Sequence, residues 1–336
     1  MTVTAGEAVG RTARNTEPTP APKRELLDPG QSRRALMLIT PTVIALAVVI
    51  VYPIIRAIYM SFQNDAALVN GVFVSGGSAG FANYTHWLAQ SCGGASCPPG
   101  TLAGSFWSTV YITFMFTVIS VVIEVVLGMW FAMIMNRSFR GRGLLRASIL
   151  IPWAIPTAVT AKLWYFIFAY DGIANKLFHT QILWTGDKWP ARFAIIIADV
   201  WKTTPFMALL ILAGLQLISA DVYEAAKVDG ASTWQRFTQI TLPLVRPALM
   251  VAVLFRTLDV LRMFDLPYIL TGGGGGDGND TTTLSILVIK QIRAGFNSAA
   301  ALSTITFLII FGVAFIFVKF LGANVVETQD AQAKGR

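Results

Sequence analysis

Seven ionisable side chains, Glu124, Lys162, Asp199, Lys202, Arg256, Asp259 and Arg262, interrupt long apolar stretches, and Asp265 follows just before Pro267. Charge is costly in hydrocarbon, so such groups face partners or a water-filled path. Arg256, Asp259 and Arg262 recur every three residues, which on a helix makes one polar stripe. Arg256–Asp259 and Asp259–Arg262 are then within pairing reach. Two chemistries fit this stripe: a lining for a polar solute, or salt bridges that hold a bundle together or bind a second membrane subunit. For Glu124 we read the salt bridge. Asp199 and Lys202 lie one helical turn apart.

Aromatic residues gather near these charges. Trp153 and Tyr170 lie near the ends of apolar segments, where such rings anchor at membrane interfaces. Trp164, Phe168 and Phe264 lie deeper and, with Asp259, Arg262 and Asp265, are candidates for the lining of a path. Flat aromatic faces beside hydrogen-bonding groups suit a sugar, whose ring has apolar C–H faces and a polar rim.

Catalytic and metal-binding patterns are sparse. No Gly-Lys dipeptide occurs, so no phosphate loop ending in Gly-Lys-Ser/Thr is present and ATP chemistry belongs to another polypeptide. His179 has no evident triad partners. Cys92 and Cys97 are the only cysteines; they fit a disulfide in an oxidising compartment and equally two free thiols. With His86 alone nearby they are a poor zinc set, and no metal is expected. Gly272–Gly276, followed by Asp277, Asn279 and Asp280, lacks the lysine of a phosphate loop and the ligand spacing of a calcium loop. We read a flexible outward turn.

The elements that must position these residues are membrane helices. The chain is 54% hydrophobic and 13% charged, with a mean hydropathy of +0.60; soluble domains carry about a quarter charged residues. Apolar runs long enough to cross about 30 Å of hydrocarbon fall near Ala35–Tyr59, Phe106–Met135, Ala147–Tyr170, Phe193–Ile218, Ala248–Leu270 and Ala300–Leu321. The expected fold is all-α, a polytopic membrane protein with six transmembrane helices. Residues 1–34, with Pro18, Pro20 and Pro22, read as a disordered tail, and residues 322–336 as a second tail.

Basic residues set the orientation. The segment Asn136–Arg146 carries Arg137, Arg140, Arg142 and Arg146 and no acid, whereas Met60–Ser105 has neither lysine nor arginine. The positive-inside rule therefore places residues 136–146 and 219–247 and both termini in the cytoplasm, and the 60–105 loop outside. The net charge of +8 fits anionic headgroups at the inner boundary, and no nucleic-acid partner is expected.

The cytoplasmic loop at 219–247 is unusually structured for a connector. Asp221 with Glu224 has capping-box spacing, predicting a helix from near Val222, and Gly230 can end it in the left-handed conformation. Ser232 with Gln235 predicts a second helix, which Pro243 would stop near Ile240.

Glu224-Ala225-Ala226, three residues, Gly230, nine residues, then Ile240-x-Leu242-Pro243 resembles the loop signature of permease subunits in binding-protein-dependent ABC importers. Asp229 lies inside the same signature. From about Phe106 to Leu321 the layout resembles the carbohydrate branch of that family, of the maltose type. Trp201-Lys-Thr-Thr-Pro-Phe-Met207 and Arg256-Thr-Leu-Asp259 look most like its actinobacterial trehalose permeases. One departure is visible: the family commonly has Gly-Gly-Pro after the threonine, and Gly272–Gly276 here runs without proline. The first outward loop and the long leader are unfamiliar as well.

The resemblance implies a type I ABC importer permease fold, with a core permease domain over 106–321. It implies that the loop couples to a dimeric ATPase carrying ATP and Mg, that this chain holds no cofactor, and that a second permease and an extracytoplasmic sugar-binding protein complete the assembly. The cargo would be a carbohydrate, moved across the cytoplasmic membrane by alternating access. A stand-alone secondary transporter using the intramembrane carboxylates for ion coupling is the alternative; a polytopic membrane enzyme would need a catalytic constellation that is not evident.

Overall fold

The structure is a computed structural model that describes residues 29–334 except 70, 71, 75 and 277. Most of the predicted leader therefore lies outside the described residues. The chain divides into two units, Met1–Ile55 and Arg56–Arg336. Helix α1 joins Pro29–Leu46, a π-helical turn Ala47–Val51 and Tyr52–Ser61. It opens at Pro29, inside the predicted tail, and carries the apolar run Leu36–Ser61.

In the second unit the segment between α1 and the next long helix holds two short antiparallel hairpins. The first pairs β1 (Ala67–Val69) with β2 (Val72–Val74), and the second pairs β3 (Ser91–Cys92) with β4 (Ala95–Ser96). Helix α2 (Ala82–Leu88) lies between the hairpins. Cys92 and Cys97 are joined as a disulfide, an arrangement that leaves no thiolate for a metal.

The long helices follow. Helix α3 (Phe106–Asn136) and helix α7 (Lys188–Leu215) pack along one another and bury two apolar clusters, one around Phe116, Ile195 and Val260, the other around Met135, Met207 and Ile211. Gly128 permits the close approach: a Cβ there would collide with the Met207 side chain.

The predicted third span is not one rod. It comprises α4 (Arg142–Ala154) and α5 (Thr157–Ile167), bent by 91°. The cause is local: Ile155 precedes Pro156 and is extended (φ −76°, ψ 131°), and Pro156 has no N–H to continue the ladder. Helix α6 (Ile173–Phe178) is a short connector.

Helix α8 (Ala220–Val228) is followed by α9, which joins Thr233–Gln235, a π-helical turn Arg236–Thr241 and Leu242–Leu261. Pro243 does not stop this helix, contrary to the sequence expectation. It sits at the N-terminal edge of the α-helical stretch, and the preceding turn widens to π geometry. The Thr241 hydroxyl donates to the Arg236 carbonyl five residues back at 3.2 Å, which satisfies an acceptor within that turn.

After a break come α10 (Asp265–Thr271), α11 (Leu284–Ala294) and α12 (Phe296–Lys334), the last running past the predicted end of its span at Leu321. Four described helices are long and apolar enough to cross a membrane, or five if α4 and α5 count as one bent span. The predicted span Ala248–Leu270 is not among them. Arg256, Asp259 and Arg262 dilute it, and it breaks between Leu261 and Asp265.

Candidate functional site

One guanidinium organises the polar interior. Arg256, buried on α9, donates from Nε to Glu124 Oε2 of α3 at 2.6 Å and from Nη2 to Glu124 Oε1 at 3.0 Å. The same Nη2 donates to Asp199 Oδ2 of α7, and Nη1 to Asp259 Oδ2 at 2.6 Å. Thr203 closes the set, donating to Glu124 Oε1 at 2.6 Å. Three helices are thereby tied through one cation whose fork geometry matches several carboxylate oxygens at once.

Arg256 and Glu124 are almost fully buried, whereas the Asp259 side chain is 66% exposed. The cluster therefore runs from a dry interior to an open cavity of about 470 Å3. Asp259, Arg262, Phe264 and Asp265, all predicted from the sequence, line this cavity together with Trp153 and Lys202. Arg262 does not pair with Asp259, contrary to the sequence expectation. It sits at the end of α9 with its Nε on the Leu258 carbonyl at 3.0 Å, which leaves Asp259 to Arg256. Phe264 occupies the break between α9 and α10 and stacks on Tyr268 with centroids 5.0 Å apart.

Two predicted lining residues lie elsewhere. Trp164 stacks on Phe168 at 5.1 Å, and Phe168 is buried in the cluster around Phe116 and Ile195. Trp153, read from sequence as an interface anchor, lines the cavity and stacks on Phe206 at 5.8 Å. The cavity thus offers an aromatic face, exposed carboxylates, the exposed Arg262 and the half-buried Lys202 around one space, a set able to bind a polyhydroxylated solute through its hydroxyls.

The described residues that follow the glycine run are anchored by ion pairs and hydrogen bonds. Asp280 is bridged by Lys188 and Arg192, each at 3.3 Å, and the Thr282 hydroxyl donates to the Gly273 carbonyl at 2.9 Å. Burial pushes the Lys290 amine below the usual lysine range, while its Nζ donates to Thr282 Oγ1 at 3.2 Å. The run Gly76-Gly77-Ser78-Ala79-Gly80 has the spacing of a hydrolase nucleophile turn. Ser78 is nonetheless exposed on a loop, and among the described residues no hydrogen bond joins it to either histidine.

At the 219–247 loop, α8 begins two residues earlier than predicted, with Ser219 at the N-cap position and no side-chain cap. Asp221 is therefore already inside the first turn, where its charge suits the helix dipole, and the Asp221–Glu224 box does not form. Gly230 takes φ 78°, and the Ala231 N–H returns to the Ala226 carbonyl at 2.9 Å, the six-to-one bond of a Schellman turn.

The second predicted box is present: Gln235 N–H donates to Ser232 Oγ at 3.2 Å and Ser232 N–H to Gln235 Oε1 at 2.7 Å. Tyr223 and Thr241 hydroxyls, 3.0 Å apart, tie α8 to α9. Glu224, Ala225, Asp229, Leu242 and Pro243 are exposed, and Ala226 and Ile240 half-buried. Val228 and Trp234 stand 88% and 71% exposed, so the hairpin presents an apolar tip that the described residues leave largely uncovered.

A helical bundle of this topology, with several membrane-length apolar helices, a charged interior and an exposed helix–glycine–helix loop, defines a multi-pass membrane transport component. The chain belongs to the family of binding-protein-dependent transport system inner membrane components, whose pattern it matches over residues 124–327. It is 38% identical over 296 residues to the trehalose/maltose transport system permease protein MalF of Thermococcus litoralis, covering 86% of this chain and 94% of that protein. It is 39% identical over 299 residues to the trehalose transport system permease protein SugA of Mycobacterium tuberculosis, covering 87% and 90%. A chain from the crystal structure of a bacterial ABC transporter that imports the acidic polysaccharide alginate has the same fold. Its TM-score is 0.68 at 18% identity, covering 88% of this chain and 96% of that one.

Proposed function

We propose that this chain is the permease subunit of an ATP-driven importer and carries a di- or oligosaccharide of the trehalose or maltose type across the cytoplasmic membrane. The observation that carries the reading is the exposed hairpin around Gly230. Its backbone is fixed by a Schellman turn and a capping box, yet Val228 and Trp234 are largely uncovered by the described residues. A stiff, apolar-tipped loop of this kind suits docking on a separate ATPase dimer, where ATP and Mg would bind. Glu224, Ala225, Ala226, Asp229, Gly230, Ile240, Leu242 and Pro243 would form the coupling element.

In this reading ATP closes the ATPase dimer, the loop moves as a rigid lever, and the cavity between this chain and a second permease opens outward to a sugar-binding protein. Hydrolysis resets it inward, a rigid-body switch driven by the differential affinity of ATP for two states. Asp259, Arg262, Phe264 and Asp265 would contact the sugar. Both termini and the 136–146 loop would face the cytoplasm. Glu124 and Asp199 are both held by Arg256, which removes these two carboxylates from ion exchange, while Asp259 and Asp265 stay exposed to the cavity; ATP dependence of uptake therefore separates the importer from an ion-coupled transporter. The test is sugar uptake by sealed vesicles with and without the ATPase: uptake driven by an ion gradient with no ATPase present would overturn the reading.

A further inference from the structure

A second cavity, of about 460 Å3, lies where the end of α3 meets α8 and the start of α9, and nothing in the transport reading uses it. Arg137, Lys227 and Arg236 line it, and no carboxylate does. None of the three cations forms a salt bridge among the described residues. That contrasts with Arg256, which satisfies three carboxylates. Arg236 is informative: Nη2 donates to Thr233 Oγ1 at 3.3 Å, while its buried Nε has no partner among the described residues. A buried guanidinium N–H without an acceptor is expensive, and an incoming anion would supply one.

The remaining wall is apolar, with Met133, Leu215 and Phe237 on it. A free inorganic anion gains nothing from that surface. A molecule with a phosphodiester head and hydrocarbon tails uses both parts. By the orientation proposed above, on which this inference rests, the cavity lies at the cytoplasmic boundary of the membrane, where basic pockets between helices take anionic headgroups. We infer that the cavity binds the headgroup of one anionic glycerophospholipid of the inner leaflet, with its phosphate between Arg137, Lys227 and Arg236. The Tyr223–Thr241 contact that ties the hairpin to α9 involves two residues of the same wall. The lipid would therefore bear on the set of the coupling hairpin.

The test uses the assembled transporter in nanodiscs of phosphatidylglycerol mixed with phosphatidylcholine, followed by native mass spectrometry of the released complex. Each charge near an anionic headgroup is worth about a factor of five in binding. One retained phosphatidylglycerol is expected, with about 25-fold weaker retention in the Arg137→Gln/Arg236→Gln double variant and recovery in Arg236→Lys. Neither inorganic phosphate nor glycerol 3-phosphate should displace it. Equal retention by the double variant, or of phosphatidylcholine by the parent, would overturn the inference, as would displacement by glycerol 3-phosphate. Loss of the ATPase from the double variant with lipid retention unchanged would assign the cations to that subunit and also overturn it. Retention is read without transport, and labelling at Ser138 reads the orientation separately, so failure of either is recognised by itself.

Discussion

Arg256 and Glu124, 132 positions apart in the chain, meet through two hydrogen bonds of 2.6 and 3.0 Å in a site closed to solvent. This pair joins α9 to α3 and sits at the dry end of a charge cluster whose other end, Asp259, opens on the polar cavity. Removing one member of a buried pair leaves the other charge uncompensated, a loss of about 3–5 kcal/mol. Arg256→Ala is therefore expected to strip the complex of thermal stability and to lower its yield. Glu124→Gln, which keeps the shape, should cost less. Thermal unfolding of the purified complex measures both, and equal stability of all three proteins would contradict the structural role.

Asp259 differs because its carboxylate is largely exposed. Without it Arg256 is still held by Glu124 and Asp199, so Asp259→Asn should assemble normally with its partners. If its free oxygen contacts sugar, losing a charged hydrogen bond lowers uptake by about tenfold or more. The two readouts separate the roles: uptake lost with assembly intact assigns Asp259 to the path, and loss of the complex assigns it to the bundle.

The orientation has its own test. A single cysteine at Ser138 should be protected from an impermeant thiol reagent in intact cells, and one at Ser78 should react, both in a background with Cys92 and Cys97 replaced by serine. Both positions are exposed, so a reversed pattern would place the 219–247 hairpin on the outer face and remove it from any ATPase.

Much of this architecture was legible in the sequence because membrane helices announce themselves by length and apolarity. The ends of α3 fall within one residue of the predicted run, whereas α7 starts at Lys188 and ends at Leu215, both ahead of the predicted Phe193 and Ile218. The capping pair at Ser232 and Gln235 and the left-handed Gly230 were equally readable, since each depends on residues within one turn.

What escaped is of two kinds. The partner of Arg256 could not be read from spacing: Glu124 and Asp199 lie on other helices, and the only sequence signal was opposite charge on three apolar segments. Proline also reads ambiguously. Pro156 breaks α4 from α5, while Pro243 is absorbed into α9 by a π-helical turn, and local sequence does not say which occurs.

Coupling through Gly230 is the central claim, and its geometry makes the test specific. A Cβ at this position would meet no atom within 4 Å, so substitution acts through the backbone and not through a clash. At φ 78° a residue with a β-carbon pays about 1–2 kcal/mol, most for a β-branched side chain, whereas asparagine tolerates the conformation. The measurement is sugar uptake and ATPase stimulation by sugar-loaded binding protein in vesicles reconstituted with the full transporter. Gly230→Val is expected to insert and assemble yet lose both activities, and Gly230→Asn to keep them. Wild-type uptake and stimulation in Gly230→Val would contradict the account, because the hairpin would then not transmit the ATPase stroke.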